Sequence, residues 1–233
     1  MLLNYNSQHK MLKGLKFGWR TAVLHLAPYK LSSKNVCPCA SKECIKACLN
    51  TAGRGQQHNV QKARLRKTEY FHKNRSGFIW ELSREIQLLK VRAKKAGYKF
   101  AVRLNGTSDL SFERFKHLGF DEDKLHGQTL MDVHPDVQFY DYTKVYNRLT
   151  RDIKNYYMVF SYSGTNKLYC MEALHRGYNV AVVFGQKLPV RFWRHKVFDG
   201  DNHDLRFNDP GHRIIGLRAK GRARSEQNAF INA

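Results

Sequence analysis

Short apolar runs separated by basic helical segments dominate the chain. The runs are typical of buried β-strands. They lie at residues 21–26, 100–104, 137–142, 157–162, 179–184, 196–198 and 214–217. Helical spacing predicts helices at residues 60–73, 77–95 and 166–176, with Gly177 as the C-cap of the last one. The apolar positions that predict a buried face on the second helix are Phe78, Leu82, Ile86 and Leu89.

This alternation of strands and helices predicts an α/β fold with a mostly parallel sheet. Several strands end in polar residues, and in (β/α) barrels the reactive groups collect at the carboxyl ends of the strands. We therefore expect a barrel-like fold, short of a full barrel, with an N-terminal cysteine metal-binding insertion. No repeat or Pro/Gly/Ser-rich linker divides the sequence. A single domain over residues 1–233 is expected, with a metal- and nucleic-acid-binding segment at about residues 34–75.

The net charge of the chain favours some classes of function over others. The chain has 41 Lys and Arg against 19 Asp and Glu, which gives a net charge of +22. A compact domain with this excess repels itself unless polyanions or counterions compensate, so nucleic acid, double-stranded DNA first, is the expected partner. A generally basic soluble protein and a membrane-surface binder are the alternatives. No run approaches the ~20 apolar residues that span a bilayer, and residues 1–20 lack a signal-peptide core. We expect a cytoplasmic protein with no membrane partner.

Four of the five cysteines lie within residues 37–48 and predict a metal site. Thiolates bind soft or borderline cations, and close spacing lets one loop and one helical turn supply all four. The predicted ligands are Cys37, Cys39, Cys44 and Cys48. Zinc is the expected cofactor and an iron–sulfur cluster is the alternative. His25, His58 or His72 could replace one cysteine, and Cys170 is expected to be buried packing.

The segment after the cysteines combines glycines with Arg54 and predicts a phosphate or base contact. Residues 217–224 (LRAKGRAR) form a basic strand exit that includes Lys220 and suits the same contact. A plain loop exit and a solvated tail are the alternatives for these two segments.

Acidic and amide side chains follow several predicted strands. Carboxylates at strand ends can act as nucleophiles, general bases or Mg²⁺ ligands, although each one alone is more typical of a turn or helix cap. The predicted catalytic residues are Asp109, Asp141 and Asp199. The predicted substrate-binding residues are Asn105, Tyr140, Asp201, Lys220 and Arg54.

Four blocks of the sequence resemble a family of small phage-encoded proteins, which we group with the phage DNA-guanine transglycosylases. These enzymes are similar to tRNA-guanine transglycosylases. The blocks are residues 36–55 (VCPCASKECIKACLNTAGRG), 102–110 (VRLNGTSDL), 137–144 (VQFYDYTK) and 198–220.

The resemblance implies a reaction. An Asp would attack C1′ of a guanosine nucleotide and displace guanine, and a 7-deazaguanine base would then replace the enzyme. It implies Asp141 or Asp199 as the nucleophile, Asp109 as the base-recognising carboxylate, and a structural zinc. The larger enzymes carry three cysteines and a distant His late in the chain, whereas here four cysteines lie early.

Three other functions fit the same residues. An iron–sulfur enzyme could act on nucleic acid. A non-catalytic, zinc-dependent DNA-binding protein would need no carboxylates. A nuclease could hold Mg²⁺ on Asp199, Asp201 and Asp204.

Overall fold

Helices and strands alternate in the first part of the chain, whereas the strands after residue 180 follow one another without an α-helix between them in the described residues. The computed structural model describes residues 1–5, 9–117, 126–149, 153–225 and 228–232. The strands are β1 (Leu3–Tyr5), β2 (Trp19–Leu24), β3 (Lys99–Arg103), β4 (Gln138–Thr143), β5 (Tyr156–Ser161), β6 (Val180–Phe184), β7 (Arg191–Phe192), β8 (His195–Asp199), β9 (Ile214–Arg218) and β10 (Ile231–Asn232). The helices are α1 (His9–Lys13), α2 (Lys42–Lys46), α3 (His58–Lys73), α4 (Arg75–Lys95), α5 (Leu130–Val133) and α6 (Lys167–His175).

All ten strands belong to one mostly parallel sheet. Its order is β1-β2-β3-β4-β5-β6-β9-β8-β7, with β10 also paired to β6. Strands β2 to β6 are neighbours in chain order and parallel, whereas β1 and β7 pair antiparallel at the two edges. Neighbours in chain order are typical of β/α barrels, because each crossover turns in the same direction. In the described residues no pairing joins the two edge strands, so the sheet is open. The α/β class is confirmed.

Helix α4 covers one face of the sheet, because its apolar side chains pack into the main hydrophobic core. Its predicted apolar positions are all buried in the main hydrophobic core. Asn74 caps the helix by accepting a hydrogen bond from Gly77 N at 2.9 Å. Gly177 follows α6 with φ +93°, a left-handed conformation that favours glycine. The seven predicted strands and three predicted helices lie within two residues of the observed bounds.

The other face of the sheet is covered by the chain that follows β8. Phe207 contacts the ring of Trp19 on β2, with 4.8 Å between centroids, and lies 5.6 Å from Tyr140 on β4. Asp204 accepts a hydrogen bond from Tyr140 Oη at 3.1 Å and pairs with Arg103 on β3 at 3.4 Å. The segment therefore crosses from β8 back to β2. No described helix is both long and apolar enough to cross a bilayer.

Candidate functional site at the carboxyl edge of the sheet

The cysteine loop, residues 37–48, follows the carboxyl end of β2. Ser41 is the N-cap of α2, and its hydroxyl accepts a hydrogen bond from the α2 backbone at 3.1 Å. The same hydroxyl donates to the carbonyl of Ser163, just beyond β5. Cys37 Sγ lies 3.7 Å from the carbonyl of Thr107, beyond β3. The loop is therefore held over the carboxyl ends of two further strands.

The cysteines of the loop lie near the ammonium group of Lys144, which directly follows β4. The Cys44 thiol accepts a hydrogen bond from Lys144, and Cys37 and Asp109 also interact with its charge. Burial disfavours the ammonium, but these acidic neighbours outweigh burial, so the pKa of Lys144 is raised. Cys48 lies within electrostatic reach of Cys44 and of Lys144. The ends of β2 and β4 thus meet at one cluster of sulfur and nitrogen atoms.

The thiol groups fit a metal by their chemistry but not by their present positions. Burial raises the pKa of Cys37 to about 11 and also raises the pKa values of Cys39 and Cys48. A bound cation would compensate the thiolate charge that burial disfavours. In the described parts of the chain, no three His, Cys, Asp or Glu side chains converge on a point that could hold a metal ion. The cysteine ligands remain a prediction.

Asp141 lies on the helix-covered face of β4 and has no exposed surface. Its carboxylate accepts hydrogen bonds from Asn105 N at 2.7 Å, from Asn105 Nδ2 at 2.9 Å and from Tyr156 Oη. Burial raises the pKa of Asp141 to about 6, against the charge of Arg148 and the Tyr156 hydrogen bond, which lower it. The hydrogen bonds explain how a carboxylate is tolerated in the core, and they leave it no open approach for a substrate.

Asp109 belongs to the same buried network. Arg148 Nη1 donates to Asp109 Oδ1 at 2.7 Å, and the Lys144 backbone N–H donates to Asp109 Oδ2 at 2.7 Å. The Arg148 guanidinium also binds both oxygens of Glu113 at 3.0 Å, as well as Tyr156 Oη at 2.9 Å. We call Asp109, Glu113, Asp141, Arg148 and Tyr156 the Arg148 network. The structure thus brings together two of the three predicted catalytic carboxylates around one arginine.

Tyr140 lies on the opposite face of β4, because successive side chains of a strand alternate. Its hydroxyl donates to Asp204, and burial raises its pKa well above the usual value. The structure therefore places this predicted substrate-binding residue in the core, away from Asn105 and Asp141.

The third predicted carboxylate lies in a half-exposed ion-pair cluster. Arg218 Nη1 lies 2.9 Å from Asp199 Oδ1 and 3.4 Å from Asp201 Oδ2, and Lys220 Nζ lies 2.7 Å from Asp201 Oδ1. We call these four residues the Asp199 cluster. The side chain of Asp199 is 31% exposed. Asp204 is bound instead to Arg103 and Tyr140, and in the described residues the three carboxylates of the nuclease hypothesis do not form a group that could hold a metal ion.

A cleft of about 610 Å³ adjoins the Asp199 cluster. One wall is lined by Thr51, Ala52, Gly53 and Gln56, shortly after the cysteine loop, and the other by Lys220, Gly221, Arg222 and Arg224. Arg54 is exposed on the 3₁₀ helix Gly53–Gln56 of the first wall. The structure thus brings the two predicted phosphate-contacting segments together, although they are far apart in the sequence.

Sequence reasoning identified Lys220 but missed two other cations of this edge, Lys144 and Arg148. Lys144 follows a predicted strand, so the strand-end rule used for acidic residues would have identified it. Arg148 and Glu113 carried no comparable signal, since a charged pair is expected at the surface unless its burial is known. Arg218 lies at the end of a predicted strand but was assigned no specific partner.

The open parallel sheet and the polar carboxyl edge define an α/β protein with a cysteine-bearing candidate site. A protein-family model described as "Gene product 88" matches residues 2–233, so the chain belongs to this family. No curated protein and no solved structure matches the chain.

Proposed function

We propose that this protein is an iron–sulfur enzyme that modifies nucleic acid at the carboxyl edge of its sheet. The observation that carries the proposal is the position of the cysteine loop. It leaves the first parallel strand, β2, and lies over the ends of β3 and β5, where α/β enzymes place their reactive groups. The strand order supports an incomplete barrel as its scaffold.

The position of the cysteines favours a reactive centre over a purely structural zinc. A structural zinc site is closed by four protein ligands. Here Cys48 is within electrostatic reach of both Cys37 and Cys44, and all three interact with Lys144, whereas Cys39 is the one cysteine of the loop that is exposed. If Cys37, Cys44 and Cys48 held a cluster, one coordination position would be left for substrate or for a fourth ligand. An iron–sulfur cluster bound there would supply one-electron chemistry.

Nucleic acid is the proposed substrate because of charge. The net charge of +22 favours a polyanionic partner, and a cleft lined by Lys220, Arg222 and Arg224 opens beside the Asp199 cluster.

The test is the metal content of protein purified without oxygen. We expect iron and acid-labile sulfide, with visible absorbance that is lost in Cys44→Ala and in Cys48→Ala. Cys170→Ala is the matched control, because this buried cysteine lies on α6 outside the loop, and it should keep the absorbance. A colourless wild-type protein that holds one zinc and no iron would refute the iron–sulfur proposal.

A second candidate is exchange of guanine in DNA for a 7-deazaguanine through Asp199, with zinc on the cysteines. It is favoured by the exposure of this carboxylate, because Asp109 and Asp141 are enclosed in the Arg148 network. Purified protein, duplex DNA and a labelled 7-deazaguanine would be followed by digestion and mass analysis of the nucleosides.

Incorporation that is lost in Asp199→Asn and kept in Asp136→Asn would establish this candidate. Asp136 is an exposed carboxylate that pairs with Lys90 at 3.0 Å. Absence of incorporation by zinc-loaded, DNA-bound protein would reject it.

A further inference from the structure

We infer that the cleft between residues 51–56 and Lys220–Arg224 binds the phosphodiester backbone of the nucleic acid. This inference rests on the nucleic-acid substrate of the proposed function and identifies the surface that holds it. The cleft adjoins the Asp199 cluster, since Lys220 belongs to both. A strand held in the cleft would therefore pass beside the carboxyl edge of the sheet.

Two of the three cations that line the cleft have no ion-pair partner among the described residues. Lys220 is paired with Asp201 at 2.7 Å. In contrast, no ion pair to Arg222 or Arg224 occurs within the described residues, and both are exposed. Guanidinium groups with five donors each and no carboxylate partner are suited to phosphate oxygens.

The shape of the cleft is set by close backbone contact between its walls. Gly221 has φ +59°, and a Cβ atom there would lie 2.8 Å from the carbonyl oxygen of Thr51. Arg222 N donates to Thr51 Oγ1 at 3.4 Å, and Thr51 Oγ1 donates in turn to the carbonyl of Cys48 at 2.9 Å. The cleft is therefore fixed to the end of the cysteine loop.

The openness of the cleft to solvent and its row of cations favour a polymer backbone over a single nucleotide. A mononucleotide site encloses its base among apolar or aromatic side chains, whereas the described residues that line this cleft include no aromatic side chain. Phosphate contact without base enclosure is the arrangement expected for holding a strand in register.

The test compares two charge-matched double variants in binding a short fluorescein-labelled DNA duplex. Arg222→Ala with Arg224→Ala removes two positive charges from the cleft. Lys94→Ala with Lys95→Ala removes two exposed charges from the end of α4, at the amino edge of the sheet. Affinity is measured by fluorescence anisotropy at several salt concentrations, and dGMP is titrated as a second ligand.

Each phosphate contact contributes about 0.9 to the slope of log affinity against log salt. The Arg222→Ala, Arg224→Ala variant should reduce the magnitude of this slope by about 1.8. When salt rises from about 50 to about 200 mM, wild type should therefore lose roughly ten times more affinity than the variant. The α4 variant should leave the slope near the wild-type value. Both variants should keep the thermal unfolding midpoint of wild type, because the four side chains are exposed.

Equal slopes in the two variants would overturn the cleft inference while leaving nucleic-acid binding intact. Tight dGMP binding that depends on Arg222 and Arg224 would mean that the ligand of the cleft is a mononucleotide and not the phosphodiester backbone. Absence of DNA binding by folded wild-type protein would overturn both this inference and the nucleic-acid part of the proposed function, whereas the iron measurement would still stand by itself.

Discussion

Two groups of charged residues at the carboxyl edge of the sheet differ in burial. In the Arg148 network, the side chains of Arg148 and Glu113 have no exposed surface. In the Asp199 cluster, Arg218 and Asp199 are 39% and 31% exposed. Charges in the first group are compensated by hydrogen bonds within the core, whereas those in the second remain accessible to solvent. The comparison indicates that acidic residues at strand ends can serve the fold in one place and remain available for chemistry in another.

The largest effect is expected when Arg148 is removed. Arg148→Met leaves Asp109 and Glu113 without their buried cation, and breaking a buried ion pair costs about 3–5 kcal/mol. The free energy of unfolding, measured by urea denaturation, should fall by this amount. Arg176→Met is the control, because Arg176 is exposed on the ring of Tyr146 and should change stability by less than about 1 kcal/mol. Similar losses in both variants would contradict the comparison.

A smaller effect concerns the pH dependence of Asp141. Its pKa is raised to about 6 by burial, against about 3.9 in an unfolded chain. Between these values the native state binds more protons than the unfolded state, so the stability contributed by this group falls as pH rises from about 4 to about 6. Wild type should therefore gain on the order of 2 kcal/mol relative to Asp141→Asn when pH is lowered from about 7 to about 4.5.

Asp136→Asn is a control of opposite sign. Burial alone would raise the pKa of Asp136, but the hydrogen bond and the charge of Lys90 outweigh burial. The pKa of Asp136 is therefore lowered. Stability from this group is present at neutral pH and is lost as pH falls through the lowered native value. Urea denaturation of both variants across the pH range would measure the two trends. An Asp141→Asn curve parallel to wild type would show that Asp141 does not titrate as argued.

A further prediction concerns the backbone contact beside the Asp199 cluster. Gly221→Ala places a Cβ atom 2.8 Å from the carbonyl of Thr51 at φ +59°, and a left-handed conformation costs a non-glycine residue about 1–2 kcal/mol. Because the contact with the Thr51 backbone adds to this cost, we expect a stability loss of at least that size together with weaker DNA binding, measured by denaturation and by anisotropy. Gly97→Ala is the control, since it has φ +77° with open space around it. It should lose stability without losing DNA affinity.

The elements could be predicted from the sequence, but the division between the two charged groups could not. Strands β2 to β6 are marked by apolar runs, and α4 by its buried stripe, because burial of a regular element leaves a periodic pattern. The ligand hypothesis for Cys37 to Cys48 likewise depends on local spacing. In contrast, Asp141 and Asp199 look alike in the sequence. Asp141 is enclosed by Arg148 and Tyr156, whereas Asp199 is paired with the half-exposed Arg218. These partners come from other segments of the chain, so the sequence around each carboxylate does not reveal them.

The smallest expected effect is the energy of the exposed ion pair itself. Arg218→Ala, Asp199→Ala and the double variant form a cycle whose coupling should be below about 1 kcal/mol, because solvent screens half-exposed charges. The matching cycle on Arg148 and Glu113 should give a coupling of several kcal/mol, on the order of 3, since both side chains are buried. Urea denaturation of the two sets measures both couplings. A large coupling between Arg218 and Asp199 would mean that this carboxylate is as fixed as Asp141, and it would remove the reason for preferring Asp199 as a reactive group.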